Sequence, residues 1–202
     1  MVTALGFKPK TFSSVVRCSI QLSYAAFWGV QIYGLFLSGK KKIEIMTVEL
    51  WSLGKQDKKE LAEAIDLYVK RLSFYTKFKL ETIDNAKINT QQGKEQILDK
   101  ESELILSKLN DKDILITLDE KGESLNSIDF SKKLNQWMNQ SSTRIVFLIG
   151  GSYGISAKVH ERAIFKMALS SLTFPHQLVR LIFTEQLYRA FSILNNEKYH
   201  HA

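Results

Sequence analysis

From Met46 onward the hydrophobic period of the chain switches repeatedly between that of a strand and that of a helix. Val48, Leu50 and Trp51 make a short apolar strand that ends at Gly54. Asp57 followed by Glu60 has the spacing of a capping box, in which two residues three apart satisfy each other's backbone N–H groups at a helix start. Leu61, Ile65, Tyr68 and Leu72 then recur at helical spacing to about Phe74. Phe78, Leu80 and Thr82 alternate as a second strand. Residues 91–109 are polar with Ile97, Leu98, Leu104, Ile105 and Leu109 on one face, which predicts a helix. The unbroken apolar run from Ile114 to Leu118 predicts a strand covered on both faces, with residues 119–123 as the turn after it. Ser127 is placed to cap a helix through Met138, and Ile145 to Ile149 is a second fully buried strand. Ser156 is placed to cap a helix to about Phe165, Met167 to Leu169 reads as a short extended segment, and Pro175 opens a last helix from about His176 to Leu194.

This alternation predicts an α/β fold, a mostly parallel sheet with helices on both faces. The 157 residues from Met46 to Ala202 are enough to bury a core as one domain, with no internal repeat or low-complexity tract.

Residues 1–45 differ in kind. They hold six basic residues against a single acid, Glu44, a net +5 of the whole chain's +7. The high pI of about 9.3 is therefore mostly a property of this extension, and the body is close to neutral at +2. A basic pI so distributed is poor evidence that the body binds nucleic acid. From Cys18 to Gly39 there is no charge. That length suits a membrane span, but Ser19, Gln21, Ser23, Gln31 and Ser38 dilute it. The basic, acid-poor start also suits a transit peptide. The third reading, and the expectation, is that translation starts at Met46 and residues 1–45 are a start-site artefact. A single cysteine excludes a disulfide framework or a Cys-rich zinc site, and the adjacent His200 and His201 have no carboxylate or cysteine at ligand spacing, so no metal is expected.

In open α/β sheets ligands bind beyond the carboxyl ends of the strands. Three such ends are rich in Gly, Ser or Thr: Leu118-Asp119-Glu120-Lys121-Gly122, Ile149-Gly150-Gly151-Ser152-Tyr153-Gly154 and Leu169-Ser170-Ser171-Leu172-Thr173-Phe174. Glycines let a backbone approach a ligand closely, and small hydroxyls supply polar contacts to its edge. Each loop alone could be a tight turn and nothing more. The second also matches G-x-S-x-G, the nucleophile elbow of α/β-hydrolases, with Glu161 or Glu185 and then His200 following in the required order. The body is short for that fold and lacks an HGGG-type oxyanion segment. Glu185 and Arg189 are spaced to pair on the last helix, while Arg180 or Arg189 could instead hold a phosphate. His160 is expected to face solvent. No Walker A motif and no strand-one G-x-G-x-x-G occurs, which disfavours nucleotide hydrolysis and an ordinary dinucleotide fold.

Those three loops, with Pro175-His176-Gln177-Leu178-Val179-Arg180, Glu185-Gln186-Leu187-Tyr188-Arg189-Ala190 and Tyr199-His200, resemble the ribosomal RNA large subunit methyltransferase H family, of the SPOUT (α/β-knot) class. The resemblance covers residues 46–202 and none of residues 1–45, which divides the chain into an extension and a methyltransferase domain. Lys198 departs from the proline often found before the Tyr-His pair. The resemblance implies a C-terminal trefoil knot, a homodimer with sites near its interface, a cytoplasmic location and no membrane attachment. It implies S-adenosylmethionine as cofactor, held at Leu118, Gly150, Leu169, Ser170, Ser171, Leu172, Thr173 and Phe174. It further implies N3-methylation of a pseudouridine in 23S rRNA on the assembled ribosome, with His200, Tyr199 and Arg189 as the candidate catalytic residues. An RNA-binding module with a vestigial pocket is the non-enzymatic alternative.

Overall fold

In the computed structural model the described residues are 46–54, 59–85, 88, 93–140, 142 and 144–199. They belong to one unit, Glu44–Ala202. Asp57, His200 and the whole segment 1–45 lie outside the described residues, so the expectations that fall on them are not addressed by it.

Five strands and five helices alternate: β1 (Thr47–Leu53), α1 (Lys59–Leu72), β2 (Lys77–Ile83), α2 (Lys94–Ser107), β3 (Ile114–Ser124), α3 (Ser127–Met138), β4 (Arg144–Ile149), α4 (Ala157–Arg162), β5 (Phe165–Ala168) and α5 (His176–Leu194). The strands form one sheet in the order β2-β1-β4-β3-β5, and every neighbouring pair is parallel. Parallel neighbours require crossovers, and the intervening helices supply them on both faces.

Strand alternation sorts the core into two layers. Ile116, Leu118, Phe147 and Ile149 point to one face, where Leu72 of α1, Leu134 and Trp137 of α3, and Phe183 and Leu187 of α5 cover them. Leu115, Val146 and Leu148 point to the other, against Ile105 of α2 and Val159 of α4. Phe147 lies at the centre of the first layer. Its ring sits 4.6 Å from that of Phe183 and meets those of Phe130 and Trp137 edge-on. β2 is an edge strand, so its outer residues are half-buried or exposed and only Ile83 is buried.

Four local expectations need correction. Asn126, not Ser127, caps α3: its side-chain oxygen accepts from the Asp129 N–H at 2.8 Å. Such caps satisfy an N–H that the helix leaves unpaired. Helix α4 stops at Arg162, three residues short of Phe165, which opens β5 instead of ending a helix. Helix α1 likewise stops at Leu72 rather than near Phe74. Finally, residues 119–123 are not a simple turn. β3 leaves the sheet after Leu118 and rejoins β5, so that both Leu118 and Glu123 lie opposite Met167. Gly122 permits that return, because a Cβ there would come within 2.7 Å of the Lys166 and Met167 backbone.

Candidate active site

The carboxyl ends of β3, β4 and β5 open into one cleft of about 510 Å³. This falls in the roughly 300–1,000 Å³ range of small-molecule and cofactor sites. Its walls come from the bulge after Leu118, the turn after Ile149, the loop after Ala168 and the first turns of α5, with Lys94 of α2 at one side. Leu118, Ile149, Leu169, Leu172, Phe174 and Val179 give it apolar surface, and Asp119, Glu120, Lys121, Ser170 and Thr173 give it polar groups.

The turn after β4 is fixed by its own backbone. Gly151 and Gly154 exchange two hydrogen bonds, N–H to carbonyl at 3.2 and 3.0 Å. Gly154 has φ +85°, a conformation that L side chains rarely adopt. The corner residues Ser152 and Tyr153 are exposed at the rim of the cleft, which both help to line, and Tyr153 is 46% exposed. On the loop after β5, Leu172 is 67% exposed, and its N–H donates to Ser170 Oγ at 3.0 Å. Thr173 Oγ1 donates to Glu120 Oε2 at 2.6 Å and so ties that loop to the β3 bulge.

Two histidines frame the cleft. His176 lines it and is hydrogen-bonded to the Gly150 backbone. Burial, reinforced by the Arg180 guanidinium, holds its imidazole below the usual histidine range. His160 does not face solvent as expected. It sits between Thr117 Oγ1 at 3.1 Å and Asp119 Oδ2 at 3.2 Å, and so steadies an acid of the cleft wall. Burial and the positive charge of Lys166 lower its pKa, against the opposing pull of Asp119.

Seven of the eight expected cofactor residues line the cleft: Leu118, Gly150, Leu169, Ser170, Leu172, Thr173 and Phe174. Ser171 is exposed and is not among its walls. Arg189 and Tyr199 do not line it either. Both bind Glu185 Oε1, Arg189 Nη2 at 2.6 Å and the donating Tyr199 hydroxyl at 3.1 Å, and the guanidinium lies over the Tyr199 ring at 4.9 Å. Burial raises the Tyr199 pKa, helped by its hydrogen bond with Tyr68 and the charge of Glu185. Arg180 is buried in α5 near His176 of the cleft.

The elbow reading of Ser152 fails on geometry. A nucleophile elbow holds its serine in a strained turn. Among the described residues the only non-glycine with positive φ is Asn196, and the turn's strain is carried by Gly154 instead.

The family model described as "Predicted SPOUT methyltransferase" matches residues 46–200. The chain belongs to this SPOUT methyltransferase family. The ribosomal RNA large subunit methyltransferase H of Flavobacterium johnsoniae is 50% identical over 156 residues, covering 77% of this chain and 99% of that protein. The protein of the same name from Christiangramia forsetii is 48% identical over the same coverage. A solved probable methylase family protein from Haemophilus influenzae Rd KW20 aligns with TM-score 0.42 at 11% identity, over 78% of this chain and 70% of that one, which adds nothing to the family match.

Residue-by-residue reading missed Lys94 in the cleft wall and the buried acid Glu101, and misplaced His160 on the solvent side. Glu101 had a signal: it lies four residues after Ile97 and four before Ile105, inside the apolar stripe of α2. The structure buries it at 4% exposure. His160 had none, because its partners Thr117 and Asp119 are distant in sequence.

Proposed function

We propose that this chain transfers a methyl group from S-adenosylmethionine to N3 of a pseudouridine in 23S ribosomal RNA, acting in the cytoplasm as a homodimer on the assembled ribosome. The observation that carries this reading is the convergence of three loops, distant in sequence, into one cleft. They are the same segments through which the chain resembles its H-type relatives, and those relatives are matched over 99% of their length. The reading includes a trefoil knot around this cleft. The contact between Thr173 and Glu120, which brings the loop before α5 against the β3 bulge, supports it.

The cleft suits such a cofactor. Its apolar side chains offer faces for an adenine, and loop peptides offer donors and acceptors for the adenine edge. At Gly150 and Gly151 a Cβ would come within 2.7 Å of neighbouring atoms, so the wall is shaped by having no side chain there. When bound, S-adenosylmethionine supplies an electrophilic methyl on a sulfonium. The chain's own task is to hold donor and acceptor in line and to handle the N3 proton. Tyr199 and Arg189, locked together through Glu185, are assigned to positioning the base or its phosphate, and His200 to accepting the proton. Because Tyr199 and Arg189 stand outside the cleft of their own chain, a second copy is the natural source of these groups. A body of only +2 points to docking by shape and by a dimer-wide patch rather than by strong charge.

The test uses the full chain, labelled S-adenosylmethionine and ribosomes lacking the methyl group, with the label mapped on rRNA fragments. Label on a single pseudouridine is expected, and equal labelling by a chain starting at Met46 would assign the activity to residues 46–202. Cofactor binding without label on any 23S pseudouridine would overturn the substrate reading.

A further inference from the structure

Among the described residues, the buried acids Glu49 and Asp113 both face the guanidinium of Arg144. Glu101 is buried as deeply and is treated differently. Among the described residues its Oε1 accepts a hydrogen bond from Asn85 Nδ2 at 3.0 Å, and its Oε2 is reached by no donor. A buried carboxylate oxygen left without a partner is costly, and a fold keeps one only where something else offsets the cost.

The position of the carboxylate indicates what that is. Both oxygens lie against Gly151, where a Cβ would stand 2.7 Å from each. Gly151 and His176 both line the cleft, and the charge of Glu101 acts on His176. Lys94, seven residues earlier on the same face of α2, also lines it. A glycine at 151 thus leaves only a thin peptide wall between this carboxylate and the cleft.

We propose that Glu101 is the anion that attracts the positive charge of the methyl donor from behind the Gly151 wall of the cleft, a determinant of binding beyond the loop backbones. The assignment rests on the methyltransferase reading. S-adenosylmethionine carries two cationic groups, an ammonium and a sulfonium, and a carboxylate one peptide behind the wall attracts either. Glu101 therefore gives the cleft a preference for adenosyl compounds that carry a cationic group over those that carry none.

Titration calorimetry on the full chain tests this with three probes. They are S-adenosylmethionine, S-adenosylhomocysteine (ammonium but no sulfonium) and 5′-methylthioadenosine (neither). The E101Q substitution keeps the size of the side chain and an oxygen for Asn85. It is expected to weaken S-adenosylmethionine about tenfold or more, while 5′-methylthioadenosine changes less than about threefold. A parallel loss for S-adenosylhomocysteine assigns the attraction to the ammonium, and an unchanged value assigns it to the sulfonium. Equal weakening of all three probes would mean that Glu101 only braces the Gly151 turn, and would overturn the proposal, as would unchanged S-adenosylmethionine affinity. If E101Q does not fold, the wild-type chain decides: comparable affinity for S-adenosylmethionine and 5′-methylthioadenosine overturns this role, and a preference of at least about tenfold for the former supports it. Failure of the folded wild type to bind S-adenosylmethionine overturns the functional reading and this assignment with it.

Discussion

The two ends of the parallel sheet are built to opposite rules. At the amino end the buried acids among the described residues are matched, and the one buried polar side-chain atom without a hydrogen-bond partner there is Arg144 Nε. Arg144, the first residue of β4, pairs with Asp113 and approaches Glu49 at 3.6 Å, and its guanidinium lies over the Trp51 ring, whose indole N–H donates to Glu49 at 2.8 Å. Arg162 at the end of α4 donates to the carbonyls of Asn110, Asp111 and Asp113 and ties down the entry to β3. At the carboxyl end the chain runs through glycine-bearing loops around a cleft, and Glu101 keeps one oxygen unmatched. One end spends its charges on holding strands together, whereas the other leaves its groups available to a ligand. Damage at the two ends should therefore separate stability from binding.

The largest expected effect is at the amino end. Replacing Arg144 by Met strands Asp113 and Glu49 as buried charges without a guanidinium, and breaking a pair of this kind costs about 3 kcal/mol. Denaturant unfolding should show a loss of that order, while the folded protein binds S-adenosylmethionine as before. Loss of binding at unchanged stability would show that the division between the ends is false. The mirror experiment is Gly151→Ala. The new methyl collides with the Glu101 carboxylate, so S-adenosylmethionine affinity should fall at least about tenfold, with stability falling by only about 1–2 kcal/mol from the local overpacking.

How much of this contrast was legible in the sequence differs between the ends. The strands were, because β3 and β4 are buried on both faces and so read as unbroken apolar runs. The cleft loops were visible as Gly, Ser and Thr at strand ends, and the family resemblance supplied their ligand. The amino-end network was not visible. Asp113, Arg144 and Glu49 come from three separate segments, and only the strand order β1-β4-β3 brings them together. The β3 bulge was equally hidden, since it depends on Gly122 meeting β5 more than forty residues later. His160 shows the general cause: helix periodicity describes a face, but the partner of that face is set by tertiary packing.

A smaller effect follows from the histidines of the carboxyl end. Both His160 and His176 are held below the ordinary value of 6.5 in the folded chain. The unfolded chain therefore takes up protons first as pH drops. The stability these residues contribute is fully present above about pH 6.5 and is lost as pH falls through their lower folded values. Urea unfolding between pH 7.5 and 5 should show that decline, and His160→Asn should flatten part of it while leaving the pH 7.5 value less affected. An unaltered slope in the variant would remove His160 from the account.

The smallest effect is expected at the most conspicuous motif. Gly150-Gly151-Ser152-Tyr153-Gly154 matches the hydrolase elbow in sequence, yet the turn places Ser152 at an unstrained, exposed corner, and no described histidine hydrogen-bonds to it. Its hydroxyl is thus neither activated nor needed to close the turn, because the two Gly151–Gly154 backbone bonds do that. Ser152→Ala should change methyl transfer and unfolding free energy by no more than about twofold and 0.5 kcal/mol, the range of ordinary surface substitutions. A loss of a hundredfold or more in methyl transfer would mean that the serine touches the reacting groups. The carboxyl end would then hold a nucleophile or proton relay that its backbone geometry does not reveal. A small change would leave the turn's glycines, rather than its serine, as the reason this segment stands at the cleft.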